Sequence, residues 1–280
     1  MKFLTIGASG YIGASLHAHV MKGHEGIGTS SVGESGLLKL NLTRPLEFDF
    51  DLICAGDTIF FAAAISSPDE CSRNFDRVHA INVQGTIAFI SKALASGAKV
   101  IFLSSDTVYG EKNKVFDESE DCFPSGEYAV MKYKVESHFT GHSLFKSIRL
   151  SYVFSNEDKF TRYLIQCALS GKQAEIFHPF YRSVIHRDDV IAGVFALATR
   201  WDDFSGQFIN FGGPEVLSRL DIADCFQRYY LFQLKYFSID PGADFFKDRP
   251  RTIAMSSKIL SDLLGRAPTN LSTAIQQEFN

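Results

Sequence analysis

Three side chains in the first half of the chain have the chemistry to exchange a proton with a carbonyl or an alcohol: Ser105, Tyr128 and Lys132. Tyr128 and Lys132 are four positions apart in a stretch that predicts a helix, so they share one helix face. An ammonium group beside a phenol favours the phenolate and lowers the pKa of the tyrosine. Ser105 follows a predicted strand 23 positions before Tyr128 and can hydrogen-bond the same substrate oxygen. The set predicts acid–base catalysis coupled to hydride transfer with a nicotinamide.

A glycine-rich turn near the start of the chain predicts a binding site for a dinucleotide pyrophosphate. The glycines have the spacing G-x-x-G-x-x-G, and they lie between a predicted strand and a predicted helix. Glycine allows a tight turn and a close approach of backbone to pyrophosphate, and the helix N-terminus supplies N–H groups and partial positive charge. The cofactor-binding residues predicted for this turn are Gly7, Ser9, Gly10, Tyr11, Ile12 and Gly13.

The end of the second predicted strand indicates which dinucleotide is preferred. An acidic residue at this point would hydrogen-bond the adenosine ribose of NAD. The segment contains Thr29 and Ser30 and no carboxylate, and small hydroxyl residues tolerate a 2′-phosphate. We therefore predict NADP(H) in preference to NAD(H), although no arginine lies nearby in this segment to bind the phosphate.

Short apolar runs alternate with amphipathic stretches, which is typical of β-α-β units and a parallel sheet. The predicted strands are 2–6, 26–29, 57–63, 99–104, 147–150 and 207–211. The predicted helices are 10–21, 68–95, 127–139, 159–169, 188–199, 218–228 and 257–264. The rhythm changes after about residue 155. We predict an α/β fold, a Rossmann-type doubly wound parallel sheet (1–155 with 186–213) and a smaller discontinuous substrate-binding domain (156–185 with 214–280).

Composition narrows the class of protein further. The 280 residues are 45% apolar and carry a formal net charge of −4, which excludes a disordered tail and argues against a nucleic-acid polymer as partner. The five cysteines are scattered without C-x-x-C spacing, so we expect reduced thiols in a cytoplasmic protein. The longest apolar run, 59–65, is far shorter than the roughly 18 residues of a membrane-spanning helix.

These motifs resemble the extended short-chain dehydrogenase/reductase superfamily, and within it the NAD(P)-dependent sugar-nucleotide epimerases, dehydratases and reductases. The resemblance rests on the glycine turn together with Ser105, Tyr128 and Lys132. Further segments resemble motifs of that family along nearly the whole chain. They are 60–64, 82–86, 149–154, 182–190, 249–251 and 257–258.

The resemblance implies a role for each matching residue. Tyr128 would be the acid–base group, Lys132 would hold the cofactor ribose and tune Tyr128, and Ser105 would bind the reacting oxygen. The cofactor would also contact Asn41, Leu42, Ala62, Ala63, Tyr128, Lys132 and Tyr152. The substrate, a sugar nucleotide, would contact Ser105, Asp106 and Thr107, and its diphosphate would bind Arg182 and Arg249. The family often has Asp where this chain has Asn41, and its dehydratases have Glu where this chain has Thr107, which argues against a 4,6-dehydratase.

Several alternatives stay open. The reaction is a 4-keto-sugar reduction or a 4-epimerisation, and a non-catalytic NAD(P)-binding regulator on the same fold is a different class, against which the Ser105, Tyr128 and Lys132 set counts. The resemblance also implies a homodimer built on helices 68–95 and 127–139. We predict no metal site, because His186 with Asp188 and Asp189 fits a helix N-terminus and the acidic segment 117–121 fits a solvated loop.

Overall fold

The computed structural model describes residues 2–279. Its strands are β1 (Phe3–Ile6), β2 (Gly26–Ser30), β3 (Leu38–Lys39), β4 (Thr58–Phe61), β5 (Lys99–Ser105), β6 (Val115–Phe116), β7 (Phe145–Leu150), β8 (Val153–Phe154), β9 (Gln173–Phe177), β10 (Tyr181–His186), β11 (Phe208–Phe211), β12 (Glu215–Ser218), β13 (Lys235–Ile239) and β14 (Thr252–Met255). Its α-helices are α1 (Tyr11–Met21), α2 (Pro68–Arg73), α3 (Phe75–His79), α4 (Thr86–Ala95), α5 (Glu127–His138), α6 (Lys159–Ser170), α7 (Arg187–Thr199), α8 (Arg219–Tyr229), α9 (Ala243–Phe246), α10 (Lys258–Leu264) and α11 (Leu271–Phe279).

Within the described residues, seven parallel strands form the main sheet in the order β11-β7-β5-β4-β1-β2-β3. The strand order reverses beside β1, so the sheet is doubly wound. Every residue of β1 and β4 is buried, because these central strands are covered by helices on both faces. The predicted Rossmann-type fold is therefore confirmed, and each of the six predicted strands overlaps an observed one.

Two apolar cores cover the two faces of this sheet. On one face, α1, α7 and α10 pack on a core that includes Leu16, Val194 and Leu260. On the other face, α4 and α5 pack on a core that includes Phe89 and Val135. Buried apolar contacts thus fix α1, which follows the glycine turn, and α5, which carries Tyr128 and Lys132, against the sheet.

The predicted single helix over 68–95 is wrong. The segment is divided into α2, α3, a π-helical stretch (Ala80–Gly85) and α4, with a break at Asn74. Asn82, in the π-helical stretch, is fixed to the neighbouring strand-end loop, since its amide accepts from Ile65 N at 2.9 Å and donates to Ile65 O at 2.8 Å. These tertiary hydrogen bonds accompany the π-helical geometry of Ala80–Gly85, which cannot be predicted from the helical spacing of apolar residues.

A second sheet and core lie beyond the main sheet. Strands β12, β10, β14 and β6 pair in that order, with β8 also on β10, and β13 pairs with β9. A third apolar core joins α6, α8 and α11, through residues such as Leu164, Ala223 and Ile275. The two chain segments assigned to the smaller domain thus share a core, although α10 packs on the first. The division into domains stays a prediction.

Two further features of the chain bear on its class. All five cysteines are free thiols in the structure. Among residues 2–279, no helix combines the length and apolarity that crossing a membrane requires.

Candidate active site

The turn between β1 and α1 has the geometry that a bound pyrophosphate requires. Gly7 has a φ of +86°, and a Cβ on Gly7 would lie 2.8 Å from the backbone of Ala63. A Cβ on Gly13 would lie 2.1 Å from the carbonyl oxygen of Gly7, so α1 can pack this close to the strand only with glycine there. Glycines 7 and 13 therefore leave α1 pointing its first turn at the carboxyl edge of the sheet.

Most of the predicted cofactor residues line one cavity of about 310 Å³ at this edge. Thr29 is joined to the turn, because its Oγ1 accepts a hydrogen bond from Gly7 N at 3.3 Å. The predicted residues that line this cavity are Gly7, Ser9, Gly10, Thr29, Ser30, Asn41, Leu42, Ala62 and Ala63. These residues could hold the adenosine end of a dinucleotide.

An arginine from a distant part of the sequence lies at the cavity of Thr29 and Ser30. No arginine is close to Thr29 and Ser30 in the sequence, but in the fold Arg77 of α3 lines the same cavity as these two residues. The side chain is 68% exposed and its Nη1 is 3.6 Å from Glu70 Oε1. A surface ion pair of this kind is weak, so the guanidinium can turn toward an anion in the cavity.

A larger cavity of about 940 Å³ adjoins the first and shares Ser9 and Gly10 with it. Besides Ser9 and Gly10, nine predicted site residues line it: Tyr11, Ile12, Ser105, Asp106, Thr107, Tyr128, Tyr152, Arg182 and Arg249. Gly13 and Lys132 line neither cavity. The shared residues make the two cavities one groove in which a dinucleotide and a second ligand can meet.

Ser105 ends β5 and is held by its own turn. Its Oγ accepts hydrogen bonds from Thr107 N at 3.3 Å and from Thr107 Oγ1 at 2.9 Å, and it donates to Asp106 Oδ1 at 3.3 Å. Tyr128 lies in the first turn of α5 and lines the same cavity. Ser105 and Tyr128 thus line one cavity, and their catalytic roles stay a prediction.

Lys132 lies behind Tyr128 and is buried. Its Nζ donates a hydrogen bond to Leu103 O at 2.6 Å and is 5.8 Å from the centre of the Tyr128 ring. Burial lowers the pKa of Lys132 to about 7, and burial raises the pKa of Tyr128, with smaller contributions from Cys71 and Asp106. The expected lowering of the Tyr128 pKa is therefore not found, because burial is the largest influence on this pKa and raises it.

The two predicted substrate arginines already have partners. Arg182 is 3.5 Å from Asp106 Oδ2 through its Nε and donates to Pro250 O at 2.8 Å. Arg249 is 2.6 Å from Asp69 Oδ1 and donates to Phe245 O at 3.2 Å. These contacts place both cations at the cavity wall.

Sequence reasoning missed two further arginines of this cavity, the exposed Arg162 and, as the first residue of α8, Arg219. The guanidinium carbon of Arg219 lies 5.2 Å from the Phe160 ring centre and 5.0 Å from that of Phe180. Its buried Nε has no hydrogen-bond partner among residues 2–279, and burial lowers its pKa. A guanidinium with an unpaired, buried donor could bind an anion in the cavity.

Two tyrosines of the groove have hydroxyls that are already bonded. Tyr11 donates to Ser155 Oγ at 2.7 Å, and Tyr152 donates to Asp158 Oδ1 at 2.6 Å. Their rings therefore line the groove while their hydroxyls fix the segment after β8. This leaves Tyr128 as the phenol of the cavity that is free of a hydrogen-bond partner within the described residues.

His186 is the N-cap of α7, and Asp188 and Asp189 lie in its first turn, as predicted. Asp189 accepts from Thr269 N at 2.6 Å, and His186 Nε2 lies 2.9 Å from Glu278 Oε1. Candidate ligand atoms of His186, Asp188 and Glu278 lie within 4.8 Å of one another. Protein partners occupy His186 and Glu278, so the group carries no assignment.

Comparison with known proteins agrees with the geometry. A family model described as "NAD dependent epimerase/dehydratase family" matches residues 3–212. No curated protein sequence matches the chain.

Solved structures match over almost the full length. UDP-glucuronic acid 4-epimerase from Bacillus cereus, in complex with UDP-glucuronic acid and NAD, is 22% identical with a TM-score of 0.80, covering 99% of this chain and 98% of that chain. dTDP-4-dehydrorhamnose reductase from Clostridium acetobutylicum is 18% identical with a TM-score of 0.84 and the same two coverages. UDP-glucose 4-epimerase from Thermotoga maritima, with UDP-glucose, is 18% identical with a TM-score of 0.78, again covering 99% and 98%. At these identities the likeness shows the fold.

Proposed function

The chain belongs to the NAD dependent epimerase/dehydratase family, and from that membership we propose an enzyme that moves a hydride between a nicotinamide cofactor and a nucleotide-linked sugar. The observation that carries the proposal is the meeting of Ser105 and Tyr128 in one cavity that continues into the glycine-turn cavity. The similar structures include complexes with UDP-glucuronic acid and NAD and with UDP-glucose, which supports this ligand class.

Each side chain has a defined task in this proposal. The nicotinamide, when bound, supplies or accepts the hydride. Ser105 donates a hydrogen bond to the reacting sugar oxygen, and Tyr128 gives that oxygen a proton or takes one from it. Burial lowers the pKa of Lys132 to about 7, so this lysine can gain a proton when the anionic and hydroxyl groups of a cofactor approach. The positive charge of Lys132 then favours the phenolate form of Tyr128. Arg219 and Arg249 bind the diphosphate.

For the cofactor we propose NADP(H) in preference to NAD(H). Thr29, Ser30 and Arg77 line the adenosine end and suit a 2′-phosphate, and none of residues 2–279 that line it has a carboxylate to hold a free 2′-hydroxyl. The Bacillus cereus enzyme was solved with NAD, so the titrations below compare both dinucleotides.

Two reactions fit this site. In a 4-keto-sugar reductase, reduced cofactor enters and oxidised cofactor leaves. A 4-epimerase would keep its cofactor bound, and the 4-keto sugar would rotate so that its opposite face is presented to the nicotinamide. A non-catalytic regulator is disfavoured because Ser105 and Tyr128 converge on the cavity.

The test is a measurement on freshly purified protein followed by substrate trials. Absorbance and fluorescence of the purified protein report retained cofactor, and NADH and NADPH titrations report exchangeable binding. Incubation with UDP- and dTDP-linked sugars, followed by NMR of the sugar, then distinguishes the reactions. Retained cofactor with inversion at C4 indicates the epimerase, NADPH-dependent reduction of a 4-keto sugar indicates the reductase, and no turnover of either kind contradicts the proposal.

The homodimer stays a prediction. Helices α4 and α5 lie side by side on one face of the sheet and contribute to one core. Light scattering of the purified protein tests the prediction, and a monomer would contradict it.

A further inference from the structure

A buried carboxylate lies at the reacting end of the substrate cavity. Asp106 directly follows Ser105, is 4% exposed, and lines the cavity with Ser105 and Tyr128. Its Oδ1 accepts from Ser105 Oγ at 3.3 Å and its Oδ2 accepts from Ser151 Oγ at 2.9 Å. Two hydroxyls therefore hold this carboxylate beside the position where the sugar would react.

The cation next to this carboxylate has little capacity left for a ligand. Arg182 Nε lies 3.5 Å from Asp106 Oδ2. Its Nη1 donates to Tyr181 O at 2.6 Å and its Nη2 donates to Pro250 O at 2.8 Å. Turning this guanidinium toward a substrate would leave buried carbonyls and a buried carboxylate unpaired, which is costly.

The cation with unused donors lies at another part of the cavity. Arg219 forms the boundary with a neighbouring cavity of about 320 Å³, which Phe177 and Tyr163 line and which neither Ser105 nor Tyr128 lines. Beside the reacting groups the wall thus carries the paired charges of Asp106 and Arg182. At the boundary with the neighbouring cavity it carries the cations Arg219 and Lys159, with Asp158 near Arg219.

We propose that this charge distribution selects a substrate whose reacting sugar carries hydroxyl or amino groups and no carboxylate. The inference rests on the proposed function and specifies its substrate class. An anionic sugar would bring a second carboxylate beside Asp106, where the neighbouring cation Arg182 already has its donors directed at Asp106, Tyr181 and Pro250. A sugar hydroxyl instead donates a hydrogen bond to Asp106, while the diphosphate binds toward Arg219.

Calorimetric titration of the cofactor-loaded protein tests this selectivity. UDP-glucose and UDP-glucuronic acid differ only at C6, and the same pair on thymidine diphosphate covers a different base preference. We expect the nucleotide with the uncharged sugar to bind at least about tenfold more tightly than the nucleotide with the uronic acid, because like charges repel. Asp106→Asn keeps the shape but removes the charge, so it should reduce the preference to below about threefold.

Asp248→Asn is the matched control, since Asp248 lines the same cavity but contacts Ser72, with 3.4 Å between their side-chain oxygens. It should keep the preference of the wild-type protein. Equal binding of the two sugars to the wild type, or an unchanged preference in Asp106→Asn, would overturn the inference and leave the proposed reaction intact. If Asp106→Asn does not fold, the wild-type comparison decides. Failure of all four nucleotides to bind would contradict the proposed function itself, and the inference with it.

Discussion

Lys132 Nζ donates a 2.6 Å hydrogen bond to the backbone carbonyl of Leu103, which joins α5 to the end of strand β5, two residues before Ser105. This contact puts the lysine behind Tyr128 instead of in the open groove. The ammonium must be buried to reach this place, and burial is what lowers its pKa to about 7. The position suits a group that changes its charge when a cofactor arrives.

Lys132 should therefore make the stability of cofactor-free protein depend on pH. Between about pH 7 and pH 9 the unfolded chain keeps a proton on this lysine that the folded chain has released, so folding stability rises as pH rises. Lys132→Met should lose this increment, whereas Lys134→Met, at an exposed position of the same helix, should keep it. Urea denaturation at both pH values measures the effect. Identical pH dependence in wild type and Lys132→Met would contradict the lowered pKa.

Arg219 should dominate binding of the substrate diphosphate. Arg219→Gln removes a cation with unused donors, and we expect UDP-glucose or dTDP-glucose binding to weaken by about tenfold to a hundredfold, the usual size of a charged hydrogen bond. Arg228→Gln, at an exposed position of the same helix, should bind as the wild type does. Calorimetry decides, and equal losses in both variants would show a general charge effect only.

The ion pair of Glu136 and Arg149 should be a main determinant of stability. It joins α5 to β7 at 2.8 Å, with side chains 1% and 4% exposed. Glu136→Gln leaves a buried guanidinium uncompensated, so the free energy of unfolding should fall by about 3–5 kcal/mol. Glu47→Gln breaks an exposed pair with Arg44 and should cost less than about 1 kcal/mol. Chemical denaturation of both variants gives the comparison, and similar small losses would refute the assignment.

Arg77 should discriminate between the two dinucleotides. Arg77→Ser is expected to weaken NADPH binding by about tenfold, one charge-assisted contact, with little change for NADH. Arg73→Ser removes an exposed arginine of the preceding helix and serves as control. Fluorescence titration measures both dissociation constants. Parallel weakening of NADPH and NADH, or none, would argue against the NADP(H) proposal.

The sequence predicted those parts of the fold that depend on the types of residues next to one another in the chain. Mainly apolar strands such as β1 and β4, and the glycine turn, can be recognised in the sequence, because a doubly covered strand and a tight turn each restrict residue type. The division of 68–95 was not predictable in this way, since the Asn82 contact with Ile65 is tertiary. The short strands of the second sheet alternate buried and exposed residues irregularly, as β12 does, and lack a clear period.

The site follows the same distinction. Ser105 and Tyr128 were predicted because strand ends and helix faces place them, and both line the cavity. Arg219 follows the N-cap Ser218, whose capping box with Asp221 marks a helix start, but nothing in the sequence shows that the first helical residue faces a cavity. Arg77 and Thr29 line one cavity only because of the path that the chain takes after β4. The burial that raises the pKa of Tyr128 is likewise a property of the packed structure.

The most direct measurement is turnover and cofactor binding of Tyr128→Phe beside Tyr133→Phe, a change at an exposed tyrosine of the same helix. Loss of the acid–base hydroxyl should reduce turnover by at least about a hundredfold, while the dissociation constant of the dinucleotide changes by less than about threefold, since the ring still lines the groove. Tyr133→Phe should match the wild type in both. Turnover in Tyr128→Phe equal to that of Tyr133→Phe would contradict the assignment of Tyr128 as the acid–base residue.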